Sequence, residues 1–340
     1  MRKPRPGRLA VAGPTALVVL GLTALLAADH RHGWRPPGTP SCPLKFSEWS
    51  APVNLGPVVN SSTSEAGAFI TRDGLSLYFG AWSCDPQAPV EPCRSDGFGG
   101  FDIYVSERAS HDDPWEAPQN LGPTINTSAS EQTPTVTTDG HWLYFASDRS
   151  GTSGGLDLYA SRRRNRRDDF GWKPPVNLGS GVNTSANEYG PALFEDDEGR
   201  TVTLYFSSNR LSNPLEDIFA STRSEDGAFG PAEPVDELNL PGSRSVRPFV
   251  WRNGLELLLD SNRPGTLGGL DLFRATREST SSVWSEPVSL GSIVNSTASV
   301  DARPVMSWDG TELYFHSNRS GGLGANDLYR STRVRLRGRK

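Results

Sequence analysis

One unit of 54 to 60 residues occurs five times along this chain of 340 residues, and the repeat restricts the fold more than any other feature. Each unit contains an apolar run such as HWLYFAS and a Gly-rich loop that ends in Asp, an aliphatic residue and an aromatic residue. The aspartates at these equivalent positions are Asp102, Asp157, Asp217, Asp271 and Asp327. Self-similarity at this period indicates a repeat architecture rather than several unrelated domains.

The repeat also predicts the type of unit. Short alternating strands with turn residues about every ten positions are typical of a four-stranded propeller blade. Pairs such as Asp73-Gly74 and Asp139-Gly140 suit tight hairpin turns, which need residues that tolerate positive φ. In the unit that begins near Glu131, strand A is the run after Glu131, strand B is WLYFAS, strand C is DLYASR and strand D is the segment with the W-x-x-P-V-N-L pattern. The predicted fold class is all-β, a five-bladed β-propeller over residues 45–333.

The order of the repeats predicts how the ring closes. The chain begins with a D-type segment at 46–56 and ends with a C-type strand at 327–333. Five blades are therefore complete only if the N-terminal strand serves the last blade, with Trp49–Leu55 against Asp327–Thr332. Closure of this kind removes the two exposed sheet edges that otherwise favour aggregation.

The pattern S-x-R-x-G-x-x-G-G-x-D-[IL]-[YF]-x-S-x-R, followed by W-x-x-P-x-N-L-G, resembles the WD-like repeat of TolB-type bacterial propellers. It is found here at Ser147–Tyr159 and then Trp172–Asn183, and the resemblance covers about residues 46–333. It implies the fold and an exported bacterial protein of the cell envelope or exterior. The chain resembles these repeats rather than TolB itself, which has six blades behind a separate N-terminal domain.

The N-terminus predicts export. Residues 1–28 contain no acid. Their four basic residues lie within 1–8 and are followed by an apolar run at 9–28, as in a secretory signal peptide. An uncleaved anchor is the alternative, and it would be the chain's one route to a membrane. A linker at 29–44 would follow, and the mature protein would be periplasmic or extracellular.

The charge distribution excludes a nucleic-acid binder. Removing residues 1–28 takes the net charge from −5 to −9, and removing the five basic residues of 333–340 takes it to −14. Phosphate binding needs a continuous basic face, which an acidic body does not provide. The Arg-rich stretch at 162–167 and the basic tail at 334–340 are interpreted as solvated loop and tail charge.

Cysteine usage points to one small disulfide. Cys84 and Cys93 are nine positions apart in a Pro-rich stretch, and in an oxidising compartment this spacing indicates a loop-closing bridge. A zinc site would require more ligands nearby. Cys42 lies in the linker, and its state stays open.

The positions three residues before the strand-A proline, or its equivalent, are acidic in four of the five blades. They are expected to surround the channel mouth on the face that carries the D–A and B–C loops, and they are Glu65, Glu131, Glu188 and Asp301. Arginines at the end of strand B, absent from blade 1, are expected to pair with them. Any of these four acids that has no arginine partner is a candidate to bind a cation or a polar ligand. No cofactor is expected, and calcium is only weakly supported because a wide ring offers few close oxygens.

Places where the repeat changes are further candidates for a binding site. Blade 1 has Trp82 beside the inserted cysteine loop, and blade 4 has Arg247, Trp251 and Asp260 at positions where other blades differ. Aromatic rings beside charged groups suit a sugar or an aromatic peptide side chain. Degenerate packing is the alternative interpretation.

Two functions follow from these observations. The first is a monomeric, non-catalytic scaffold that recognises a protein or glycan of the cell envelope on the loop face. The alternative is a secreted glycoside hydrolase with carboxylates at the channel mouth. The acids are repeat-equivalent with no pair that stands out, and the chain has no H-E-x-x-H pattern, so no catalytic residue is assigned and the scaffold is preferred.

Overall fold

A computed structural model describes residues 45–87, 92–196, 201–211, 215–224, 227–297 and 300–336. The expected signal peptide or anchor, the linker and Cys42 lie outside these residues. The regular elements of the described chain are all β-strands. No helix long and apolar enough to cross a membrane occurs in the described part.

The strands form five antiparallel, four-stranded blades, which confirms the predicted fold class. The chain starts with β1 (Lys45–Phe46) and β2 (Val53–Asn54). Blade 1 then contains β3 (Glu65–Ile70), β4 (Ser76–Ser83), β5 (Gly100–Glu107) and β6 (Gln119–Asn120). Blade 2 contains β7 (Glu131–Val136), β8 (Trp142–Ser147), β9 (Asp157–Arg162) and β10 (Val176–Asn177). Blade 3 contains β11 (Glu188–Asp196), β12 (Thr201–Ser208), β13 (Asp217–Ser224) and β14 (Glu233–Pro234).

The last two blades complete the ring. Blade 4 contains β15 (Ser245–Val250), β16 (Glu256–Ser261), β17 (Asp271–Thr276) and β18 (Val288–Ser289). Blade 5 contains β19 (Asp301–Met306), β20 (Glu312–Ser317) and β21 (Asp327–Thr332), and its outer strand is β2. Val53 lies opposite Arg330 and Asn54 opposite Tyr329, which confirms the predicted closure. A short strand β22 (Arg335–Leu336), expected to be basic tail, pairs with β1 and extends this closure.

The core lies between the blades. Five separate buried clusters occupy the five interfaces between neighbouring blades. Tyr78 of β4 packs towards blade 2, whereas Leu77 and Phe79 pack towards blade 5. Alternation along a strand sends successive side chains to opposite faces, so one apolar strand contributes to two interfaces.

Every strand A contains a β-bulge at the same point, two residues after its first residue. Register shifts follow the second residue of each strand A, for example between Ala66 and Phe69. The bulged residue has positive φ in all five blades; these residues are Gly67, Thr133, Gly190, Arg247 and Arg303. Such bulges re-aim side chains and bend a strand, here around the central channel.

The end of strand C carries a second repeated arginine, and this corrects the interpretation as solvated charge for Arg163 and Arg333, whereas the other arginines of 162–167 are exposed as expected. Arg163 and Arg333 are buried. Arg163 stacks on Trp172 and pairs with Asp169, and Arg333 stacks on Phe46 and Trp49. The equivalent residues stack on the aromatic ring of strand D in every blade; we call these C-strand arginines, and they are Arg108, Arg163, Arg223, Arg277 and Arg333.

Candidate functional site

The four acidic residues expected at the channel mouth are buried and paired with arginine. Their exposure is 0%. The ion pairs are Glu65–Arg94 at 2.9 Å, Glu131–Arg149 at 3.1 Å, Glu188–Arg210 at 3.2 Å and Asp301–Arg319. We call these arginines, together with Arg263, the B–C arginines. No carboxylate of this set is presented to solvent, so we do not carry the four forward as ligand-binding residues.

Blade 2 illustrates how fully these groups are satisfied. Glu131 accepts hydrogen bonds from the backbone N and Oγ1 of Thr127 and from Oγ of Ser147. Arg149 donates from Nη2 to the Ile125 carbonyl at 2.7 Å, and its guanidinium lies over the rings of Phe145 and Tyr159. Burial raises the pKa of Glu131, while the bonds from Ser147 and Thr127 and the charge of Arg149 oppose that rise. The network is therefore structural.

Blade 1 has a B–C arginine that the sequence pattern did not reveal. Arg94, directly after Cys93, donates from Nε and Nη2 to Glu65 and from Nη2 to the Val59 carbonyl. Cys93 is disulfide-bonded to Cys84, and Arg94 exchanges backbone hydrogen bonds with Trp82 and Cys84. The inserted loop thus replaces the missing S-x-R arginine. An arginine next to the second cysteine was the available signal.

The two tryptophans predicted as ligand contacts differ in their surroundings. Trp82 is 40% exposed and meets Phe101 edge-on at 5.5 Å, on the B–C loop side of blade 1. Trp251 is 3% exposed, packs edge-on against Phe46 and donates from Nε1 to the Ser307 carbonyl. Trp251 therefore belongs mainly to the packing between blades 4 and 5, with part of its surface on the cavity described next.

A cavity of about 390 Å³ opens on the opposite face from the one expected, where strand A turns into strand B. We call it the channel cavity. All five blades contribute to it with residues of strand A, and blades 1, 2, 4 and 5 also contribute with the A–B turn. The lining includes residues 69–72, 135–139, 191–195, 248–252 and 303–308, apart from Thr71 and Ser307. Its volume is within the range of about 300–1,000 Å³ typical of small-molecule sites.

The five repeats differ from one another at the rim of the channel cavity. Four residues after the strand-A proline or its equivalent, the five blades place four different kinds of residue: Arg72, Thr138, Glu195, Arg252 and Trp308. The guanidinium groups of Arg72 and Arg252 lie 4.5 and 5.3 Å from the Trp308 ring. Glu195 accepts a hydrogen bond from the Thr138 backbone N at 3.1 Å and another from Thr138 Oγ1. An alignment of the five units shows that the residue at this position differs between blades, but only the closed ring shows that these positions share one cavity.

Deeper in the channel, blades 4 and 5 contribute a buried charged cluster. Arg247 donates to both carboxylate oxygens of Asp260, with the shortest distance 2.7 Å from Nη2 to Oδ2. The backbone N of Arg303 donates to Asp260 Oδ1 at 3.0 Å. His316 accepts from the Gly67 backbone N. Arg247 and Asp260, two of the predicted site residues, are thus brought together at the centre of the ring.

A second, more open groove of about 980 Å³ lies between blades 1 and 5, over the closure. Part of its charge is paired internally, since Glu312 pairs with Arg108 at 3.3 Å and with Arg330 at 3.0 Å. Within the described ranges, no group of three or more His, Cys, Asp or Glu side chains is arranged to hold a metal ion. The channel cavity is therefore the stronger candidate site.

The fold and the cavity define a five-bladed β-propeller with a ligand-sized central channel. The sequence matches no family model and no curated protein. Among the similar solved structures are an α-L-arabinofuranosidase from Podospora anserina (10% identity, TM-score 0.53, 84% of this chain and 97% of that one) and the catalytic domain of a GH62 α-L-arabinofuranosidase from Coprinopsis cinerea (11%, 0.54, 85% and 98%). A putative TolB from Agrobacterium tumefaciens is also similar (15%, 0.47, 82% and 80%). Similarity at these identities concerns the fold.

Proposed function

We propose that this propeller binds a saccharide in the channel cavity. The observation that carries the proposal is that five otherwise similar blades place non-identical residues at one equivalent position around the mouth of the cavity. These residues are Arg72, Thr138, Glu195, Arg252 and Trp308. Residues that recur in every blade maintain the fold, whereas residues that differ at one shared site are available for recognition. Functional residues of propellers and other repeat folds are those grafted on the scaffold rather than the scaffold itself.

The chemistry of the lining suits a sugar. A sugar ring has apolar C–H faces and many hydroxyl groups, so it needs aromatic or aliphatic surface together with hydrogen-bond donors and acceptors. Trp308 supplies an indole ring, Arg72 and Arg252 supply donors, and Glu195 supplies a carboxylate. Phe249 and Pro248 add apolar surface.

Glycoside hydrolysis is the second candidate, and the comparisons support it better than a non-catalytic scaffold, because the arabinofuranosidases share the five-bladed fold over most of both chains. Hydrolysis requires two carboxylates about 5–10 Å apart beside the bound sugar. The four acids near the B–C loops already form ion pairs with arginine, so their carboxylates are not available; they are Glu65, Glu131, Glu188 and Asp301. Asp139 and Glu195 line the channel cavity from neighbouring blades, so they are the pair we assign to this candidate.

One experiment tests both candidates. The full chain is titrated with a panel of neutral and acidic oligosaccharides by calorimetry, and release of reducing sugar is followed in the same mixtures. Trp308→Ala is expected to weaken binding about tenfold or more, since it removes an aromatic contact from a site of few contacts. Glu195→Gln is expected to retain binding and, where the wild type releases sugar, to abolish release.

Trp82→Ala is the matched variant, because it removes the same side chain from the opposite face. Weaker binding in Trp82→Ala with normal binding in Trp308→Ala would place the ligand on the B–C loop face and overturn the proposed site. Absence of binding to every saccharide of the panel would overturn the proposed function. Turnover that survives in Glu195→Gln and in Asp139→Asn would exclude this pair as the acid and base.

A further inference from the structure

The charged cluster behind the wall of the channel cavity, to which Arg303 belongs, carries an unbalanced positive charge. Arg247 and Arg303 are both close to Asp260, whose carboxylate is the one acid of this buried cluster. Asp260 pairs through both oxygens with the guanidinium of Arg247 and accepts only a backbone N–H from Arg303. Burial, followed by the charges of Arg247 and Arg303, lowers the pKa of His316 well below its ordinary value, so His316 is neutral. Two cations therefore share one anion.

Of the two cations, Arg303 is the one whose guanidinium has no anionic partner among the described residues. Its Nη2 donates to the carbonyl oxygens of Thr133, Pro134 and Pro191 and to Thr135 Oγ1, at 3.1 to 3.3 Å. All four acceptors are neutral. Its Nη1 is buried and has no hydrogen-bond partner among the described residues. A buried charge with no counter-ion is costly, and a buried donor without an acceptor adds to that cost.

The backbone at Arg303 is also strained. Its φ is 56°, in the left-handed region that disfavours large side chains, while blades 1 and 3 place Gly67 and Gly190 at the equivalent bulge. A glycine at position 303 would satisfy the bulge without strain and without a buried charge. An arginine at this point, on the wall of the cavity, therefore has a cost in strain and in buried charge that glycine would not have.

We propose that the ligand of the channel cavity is an acidic saccharide, and that the carboxylate of a uronic acid residue pairs with Arg303. This inference rests on the proposed function, since it specifies the class of saccharide. The carboxylate would supply the counter-charge that none of the described residues gives Arg303, and charge-assisted hydrogen bonds from a guanidinium are the strongest available to it. Arg72 and Arg252 at the mouth would favour entry of an anion into a protein whose overall charge is negative.

Calorimetric titration of the full chain with matched sugars tests the inference. Glucuronate and galacturonate, as monosaccharides and as oligomers, are compared with glucose, galactose and their neutral oligomers. We expect the acidic member of each pair to bind about tenfold tighter or more, and the preference to decrease as salt increases. This wild-type comparison requires no variant to fold.

Arg303→Gly removes the guanidinium and adopts the residue of blades 1 and 3. We expect it to lose the preference for the acidic sugar while neutral sugars bind as before. Arg164→Gln removes one positive charge from an exposed turn and controls for net charge, and it is expected to keep the full preference.

The outcomes separate the two levels of the proposal. Equal affinity for acidic and neutral sugars, with binding lost in Trp308→Ala, would overturn the inference and leave the proposed function in place. A preference that is unchanged in Arg303→Gly would also overturn it. Binding of N-acetylglutamate as tightly as glucuronate, with no binding of any neutral sugar, would overturn the assignment of a saccharide and with it the proposed function.

Discussion

At the scale of the residue, arginine supplies the hydrogen bonds and ring contacts that recur in every blade and the ion pairs that recur in four of them. The chain contains 30 Arg and 4 Lys, and ten of the arginines belong to the two repeated sets, the B–C arginines and the C-strand arginines. Arg149 shows the common geometry: it bridges a carboxylate and a carbonyl oxygen while its flat face lies on two aromatic rings. A guanidinium can do this because it is planar and carries several donors, whereas an ammonium group is a compact point charge.

This geometry predicts that Arg149→Lys destabilises the protein although it keeps the charge. Lys lacks the planar stacking surface and the donor fork, so we expect the free energy of unfolding to fall by about 1–3 kcal/mol. Urea denaturation measures the change. Arg164→Lys, at an exposed turn position, is the control and is expected to leave the midpoint unchanged. An equal effect of the two substitutions would contradict the structural role of the B–C arginines.

At the scale of the element, blade 1 shows how an insertion can replace a lost repeat residue. Its strand B ends without the S-x-R arginine, and the loop closed by Cys84 and Cys93 brings Arg94 to the same place. Arg94 lies over Phe79 and Tyr104, just as Arg149 lies over Phe145 and Tyr159. We therefore expect the disulfide to position Arg94 as well as to close the loop.

Removal of the disulfide with Cys84→Ser and Cys93→Ser is expected to lower the free energy of unfolding by about 2–3 kcal/mol, on the chain-entropy estimate for a short loop. Thermal unfolding with and without reductant measures it, and reductant should affect only the wild type. If the disulfide positions Arg94, then Arg94→Ala costs less in the disulfide-free protein than in the wild type. Additive effects of the two changes would contradict this coupling.

At the scale of the whole molecule, two pairs of short strands close the ring. β2 completes blade 5 beside β21, and β1 pairs with β22. Backbone bonds from Ser50 to Thr332 and from Leu55 to Leu328 add to this closure, and Arg333 lies over the Trp49 ring at 4.2 Å. Without the N-terminal segment, β21 would be an exposed edge and one blade interface would lose part of its packing.

Deletion of residues 44–56 is therefore expected to give an insoluble or molten product. A circular permutant that starts at residue 57 and carries residues 44–56 after residue 336 restores the same strand to blade 5, so we expect it to fold. Near-ultraviolet circular dichroism and thermal melting distinguish the two proteins. A deletion variant that melts like the wild type would contradict the importance of closure.

Much of the fold could be predicted from the sequence because the same pattern of strands and turns occurs in it five times. The blade number, strand order and closure all follow from the spacing of units and from the D-type segment before Glu65. The site was less accessible. The acidic ring was detected because it recurs, but recurrence is typical of structure, and the ring proved to be buried. Arg94 was missed because its role depends on a loop outside the repeat pattern.

The sequence by itself determined the units, their number and the residues that each unit uses to hold itself together, since these depend on contacts within a blade or with the next one. The tertiary structure alone decided which non-equivalent residues meet. Arg303 contacts Thr133 and Pro191, which are 170 and 112 positions away along the chain. These contacts form only when strand A of every blade converges on one axis, because a closed ring brings together positions that no local spacing relates.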